Sequence, residues 1–160
     1  MIVRTALLFV ALLLPNPASA QAFGFTMGTS LEELEAVQQV PGKANYRYVV
    51  VPPTPNPRLE NYSAIVTPQD GLCQVMGATP GETPERAEQL RSILHTALQA
   101  VYGEGTKISE RETVFGNTTP PVMAAALRIG RNNTTVMVEY VFSNYASCSI
   151  NAMKLDQIGL

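Results

Sequence analysis

Thr83-Pro84-Glu85-Arg86-Ala87-Glu88-Gln89-Leu90-Arg91-Ser92-Ile93-Leu94, continuing through Val101-Tyr102-Gly103, is the stretch on which the fold turns. Thr83 is a good N-cap, and Pro84 suits the first helical position, where no backbone N–H is required. Ala87, Leu90, Leu94, Ala97 and Val101 recur at i, i+3, i+4 spacing, with Ile93 and Leu98 widening the stripe. Gly103 stands where a C-terminal glycine ends a helix. The pattern predicts a helix over about 84–102 with one apolar face, which needs a sheet to cover.

Strand signals flank this helix on both sides. Before it, Asn45 to Val51 is β-branched and aromatic, Leu59 to Thr67 alternates, and Leu72 to Met76 follows the turn residues Pro68-Gln69-Asp70-Gly71. Between the first two strands, four prolines within Pro52–Pro57 predict a stiff connector. After the helix, Glu104 to Pro121 is polar and irregular around Val114 and Phe115, with room for a small extra strand or turn. Val122 to Ile129 stays open between helix and strand. Thr135 to Phe142 alternates, placing Val136, Val138, Tyr140 and Phe142 on one side. A last strand is expected around Cys148 and Ile150.

Near the start, Ser30 and Glu33 have capping-box spacing, Glu32 and Glu35 add negative charge to the first turn, and Pro41-Gly42 closes the segment. A short helix over about Leu31 to Gln39 follows from that. The order is then helix, three strands, helix, three strands. This gives an α+β fold, with an antiparallel sheet of six strands built from a tandem αβββ repeat and two helices on one face.

The element order resembles the tandem helix-plus-meander arrangement of secreted β-lactamase inhibitor proteins. The segment Met27-Gly28-Thr29-Ser30-Leu31-Glu32-Glu33-Leu34, followed by Pro41-Gly42, resembles the helix start of the SmpA/OmlA (BamE) outer-membrane assembly proteins. It lacks the lipidated cysteine of that family, since Gln21 follows the leader. What the resemblance implies is a non-enzymatic protein-binding module of the cell envelope; no binding residues carry over.

The first twenty residues read as a signal peptide: Arg4, an apolar stretch from Ala6 to Leu14, and the small-residue site Ala18-Ser19-Ala20. That stretch is shorter than the roughly 20 apolar residues a membrane span needs. Residues 21–160 are expected as one secreted domain, periplasmic or extracellular, without stable membrane insertion after cleavage. The full chain has 160 residues, 46% of them hydrophobic and 15% charged, and a net charge of −2. Loss of Arg4 makes the remainder more acidic, which argues against nucleic acid as a partner.

The chain has two cysteines, Cys73 and Cys148. In an oxidising compartment they allow one intramolecular pairing, worth about 4 kcal/mol in the chain-entropy model; buried free thiols are the alternative.

No catalytic residue is assigned. His95 lies one step off the apolar stripe of its helix, with no nucleophile or orienting acid at triad-like spacing. No metal-ligand pair and no phosphate loop occurs, and no cofactor is expected. The carboxylates sit at helix starts or in polar loops, apart from Glu139, and their spacing selects no glycosidase-like pair. Asn61, Asn117, Asn132 and Asn133 head Asn-x-Ser/Thr triplets, of use only on a eukaryotic secretory route.

Tyr46, Tyr48, Tyr62, Tyr140 and Tyr145 lie on or beside strands and are the candidate partner-binding residues, because tyrosine gives amphipathic area at low entropic cost. The function expected is an exported binding or accessory protein with an envelope or secreted protein partner. A small envelope hydrolase using carboxylates is the alternative.

Overall fold

The computed structural model describes residues 22–34, 36–40, 46–116 and 122–157. The signal-peptide assignment, residues 1–20, lies outside the described residues. Eight strands form one antiparallel sheet: β1 (Ala36–Gln39), β2 (Arg47–Val50), β3 (Asn61–Thr67), β4 (Gly71–Ala78), β5 (Thr106–Ser109), β6 (Glu112–Gly116), β7 (Val122–Ile129) and β8 (Val136–Phe142). Helix α1 (Pro84–Tyr102) follows β4, and α2 (Tyr145–Gln157) follows β8. The lateral order is β1-β2-β3-β4-β8-β7-β6-β5. The chain is therefore two four-stranded meanders, each followed by a helix and joined edge to edge where β4 meets β8.

This corrects the six-stranded tandem αβββ expectation, and with it the pair of helices covering one face. Three local outcomes are responsible. The first helix does not form over Leu31–Gln39. Ser30 and Glu33 do make the capping-box contacts, Ser30 N–H to the Glu33 carboxylate at 3.0 Å and Glu33 N–H to Ser30 Oγ at 3.4 Å. Only a single turn closes, Leu34 N–H to Ser30 O at 3.2 Å. Residues 36–39 instead pair with β2, and Val40 N–H continues that ladder to Arg47 O at 2.8 Å. One turn carries the cost of helix nucleation without the bonds of propagation, so a β-ladder beside it wins.

The second outcome lies in the polar stretch after α1, which holds a hairpin: β5 pairs with β6, and β6 with β7. Its outer strand is exposed throughout and carries the Lys107–Glu110 ion pair, charge that discourages edge-to-edge association. The third is the expected strand around Cys148, which is helical as α2. Cys148 N–H bonds Asn144 O at 3.0 Å, and Asn144 stands where the helix begins.

The remaining elements follow their local chemistry. Thr83 Oγ1 accepts from Arg86 N–H, Pro84 is the first helical residue, and Gly103 N–H closes α1 on Gln99 O. Val122–Ile129, open between helix and strand in the sequence, is strand β7.

Cross-strand register sorts the side chains into two faces. Tyr48, Ala64, Val75, Tyr140, Ala125 and Phe115 form one continuous row, and Tyr62, Gly77, Val138 and Leu127 another on the same side. This is the core face. Helix α1 lies over β6, β7 and β8 and buries Ala87, Leu90, Leu94 and Leu98, each leucine worth roughly 2 kcal/mol of apolar burial. The N-terminal segment covers the other half of this face. Phe23 meets Tyr62 and Tyr140 edge-on, at 5.1 Å between ring centroids in each case. Gly28 N–H bonds Leu72 O and Leu72 N–H bonds Thr29 O, both at 2.8 Å. Gly71 (φ +64°) lies so close to the Gly28 carbonyl that a side chain there has no room.

Helix α2 packs on β3 and β4, and among the described residues none of its side chains joins the main core cluster. Two devices hold it. Between the pairs Ile65↔Gln74 and Val66↔Leu72, Cys73 is the extra residue of a bulge and has no cross-strand partner. It forms a disulfide with Cys148 of α2, Cα–Cα 6.3 Å, across 75 residues of sequence. The second device is Asp70 in the β3–β4 turn. Its carboxylate accepts from Thr67 Oγ1 (2.8 Å), Asn151 Nδ2 (2.7 Å) and Ser147 Oγ. These donors hold the Asp70 carboxyl below the usual range, the Ser147 and Asn151 bonds contributing most. Asn144 Nδ2 adds bonds to Asp70 O and Leu72 O, both at 3.0 Å.

Candidate ligand-binding groove

The second face of the sheet carries Val49, Ser63, Met76, Glu139, Ala126 and Val114 in one row, and Asn61, Ala78, Met137, Arg128 and Glu112 in the next on that side. Two different surfaces result. Over β6–β8 the row is charged. Arg128 donates through Nε to Glu112 at 2.9 Å and through Nη1 to Glu139, and Gln74 Nε2 donates to the same Glu139 carboxylate. Glu139 is buried at 7% exposure, which its two donors make tolerable. The Gln74 Oε1 atom is buried without a partner.

Over β2–β4 the same face is a groove of about 600 Å³. Its floor is made by the small residues Ser63 and Ala78, both nearly buried, and its walls by Met76 and by Val49 and Val51, which are 39% and 49% exposed. Small residues facing larger ones across the strands produce the concavity, and Val51 leaves the sheet as the chain enters Pro52-Pro53. Arg47 stands at one end and donates Nη1–H to Ser63 Oγ at 3.2 Å. Glu60 and Asn61 line the other end. The volume falls in the range of small-molecule sites, which are mostly apolar with a few placed polar groups.

No protein-family model, curated protein or solved structure matches this chain. Among the described residues, no group of three or more His, Cys, Asp or Glu side chains is placed to hold a metal ion. Nor, among them, is any helix long and apolar enough to cross a membrane.

The five candidate tyrosines do not form one surface. Tyr48, Tyr62 and Tyr140 share the core face. Tyr62 is buried; its hydroxyl accepts from Asn56 N–H at 2.9 Å and reaches Asn56 O and Leu59 O, pinning the proline-rich connector to the sheet. Burial raises the phenol pKa of Tyr62, Tyr48 and Tyr140, and pushes that of neighbouring Tyr102 up to about 12. Tyr46 is half-buried beside β2 at φ +73°, and Tyr145 begins α2. Of the five, only Tyr62 lines the groove.

His95 rests edge-on against Phe115, ring centroids 5.2 Å apart. The residues that sequence reasoning did not single out are Arg47, Val49, Val51, Ser63, Met76 and Ala78. Alternation separates Ser63 from Tyr62 and Val49 from Tyr48. Bringing Ala78 and Met76 beside them requires the register of β3 on β4, which is not local information.

Proposed function

We propose that the protein is an exported binding or accessory protein of the periplasm or extracellular space, acting without catalysis through the groove on the second face of its sheet. The observation that carries this reading is the groove: an apolar trough with one guanidinium at its end and a hydroxyl already engaged by it. A nucleophile there would need a base to activate it, and no histidine lines the groove. The leader-like first twenty residues, the Cys73–Cys148 disulfide and the resemblance of 27–34 to envelope-assembly proteins support an extracytoplasmic address.

The hydrolase alternative has one observation in its favour, since Glu112 and Glu139 meet on one face. Both, however, are ion-paired to Arg128, whose guanidinium lies between them. A scissile bond would have to displace it.

Expression of the full chain tests the assignment. The expected product is recovered outside the cytoplasm, starts at Gln21 by intact mass, and has no free thiol. Retention of residues 1–20 in a cytoplasmic, reduced product overturns it. Turnover of a glycoside or ester panel that disappears in folded E139Q would replace binding by the hydrolase.

A further inference from the structure

We propose that the β2–β4 groove takes a small carboxylate-headed amphiphile, its head on Arg47 and its acyl chain along Val49, Met76, Ala78 and Val51. This rests on the groove being a binding site and adds the class of ligand. Three features of the site converge on it.

The first is an incompletely paired cation. Arg47 is half-buried, and its bond in this site goes from Nη1 to the neutral Ser63 hydroxyl. Arg128, on the same face, is flanked by two carboxylates; among the described residues no carboxylate lies within ion-pair distance of Arg47. A guanidinium has five N–H donors in a planar fork that matches a carboxylate bidentately, and such bonds strengthen in apolar surroundings.

The second is what lies beside it. Val49 and Val51 expose apolar surface towards the trough, above a floor that holds Ala78. From Arg47 to Val51 is four residues of extended chain, roughly 13 Å at the usual strand rise. That accommodates an acyl chain of medium length. Glu60 at the opposite end fixes the direction, since it repels an anionic head placed there.

The third concerns the main chain. The groove lies on the face of the sheet, where the backbone groups of β2, β3 and β4 bond one another. An extended peptide gains most of its affinity from such groups at a sheet edge, and along the paired stretch Arg47–Val49 and Ser63–Ile65 the ladder already uses them. An acyl chain requires none.

The test uses the disulfide-intact chain and three probes: decanoate below its micelle-forming concentration, decanol, and acetate. Calorimetric or NMR titration should show decanoate binding, decanol binding at least tenfold more weakly, and no binding of acetate. Arg47→Met should weaken decanoate at least tenfold while changing decanol less than twofold, and Val49→Asp should weaken both. Circular dichroism melts of both variants establish that they fold.

Equal affinity for decanoate and decanol, unchanged in R47M, overturns the carboxylate assignment while leaving the groove as a binding site. Failure of both long-chain probes, with no resonance of Val49, Met76 or Ala78 displaced, overturns this proposal and counts against the groove as the functional surface.

Discussion

Asp70 accepts a 2.7 Å hydrogen bond from Asn151, 81 residues further along the chain, and so fastens the last helix to the turn between β3 and β4. With Thr67 and Ser147 on the same carboxylate, the folded state prefers Asp70 ionised. The folded pKa is depressed, so this stabilisation is fully present above the unfolded pKa of about 4 and is lost as pH falls through the folded value. D70N should lower the melting temperature at neutral pH by roughly 3–5 °C, about 1 kcal/mol for so solvent-accessible a group. The difference from wild type should close in acid. A constant difference between pH 7 and pH 2 would refute the linkage.

The disulfide is the second fastening of α2, and its removal should cost about 2–4 kcal/mol in urea unfolding. C73A, C148A and the double variant should fall within error of one another, because each removes the same bond. Proton exchange of α2 amides should accelerate in all three more than that of α1, whose leucines remain buried.

Gly77 occupies the core face where a Cβ would stand 2.8 Å from Leu59, 2.9 Å from Tyr62 and 3.0 Å from Phe23. G77A should destabilise by about 1–3 kcal/mol through overpacking. Gly81 has nothing within 4 Å of the same position, and G81A should be neutral or slightly stabilising. Chemical denaturation of the pair separates crowding from backbone entropy.

On the charged half of the second face the two carboxylates should differ sharply. Glu139 is buried and holds Gln74 and Arg128, so E139A should cost roughly 2–3 kcal/mol by leaving Gln74 Nε2 and Arg128 Nη1 without their acceptor, while Arg128 Nε keeps Glu112. Glu112 is more exposed, and E112Q should cost less than about 1 kcal/mol. A double-mutant cycle with R128M should give the larger coupling for Glu139.

The sequence disclosed what short-range chemistry decides. Helix α1 carried its cap, its proline and its apolar stripe. β8 carried clean alternation, and the two cysteines admitted one partner each. The failures are equally specific. Ser30 and Glu33 form their local contacts, yet Val40 and its neighbours are claimed by Arg47 and β2, a competition invisible from either segment alone. The segment around Cys148 and Ile150 reads as a last strand after the turn at Ser143-Asn144; Asp70, far away in sequence, supports it as a helix. The hairpin at 106–116 is polar on its outer strand because it lies at the sheet edge, so it lacks the apolar alternation by which strands are recognised. For the groove, alternation in β3 and β8 already assigned Tyr62 and Tyr140 to the apolar side. Arg47 and Val49 were visible as strand residues, but the small floor that makes their neighbourhood concave comes from two other strands.

The strand order has a temporal consequence. β4 can complete its ladder only on β8, the last strand made, and α1 rests on β6–β8, none of which exists when α1 first emerges. A chain delivered from its N-terminus thus holds half a sheet with an open seam until nearly everything has followed. Such non-local closure is slow, and a polypeptide that seals late stays threadable through a narrow channel for most of its passage.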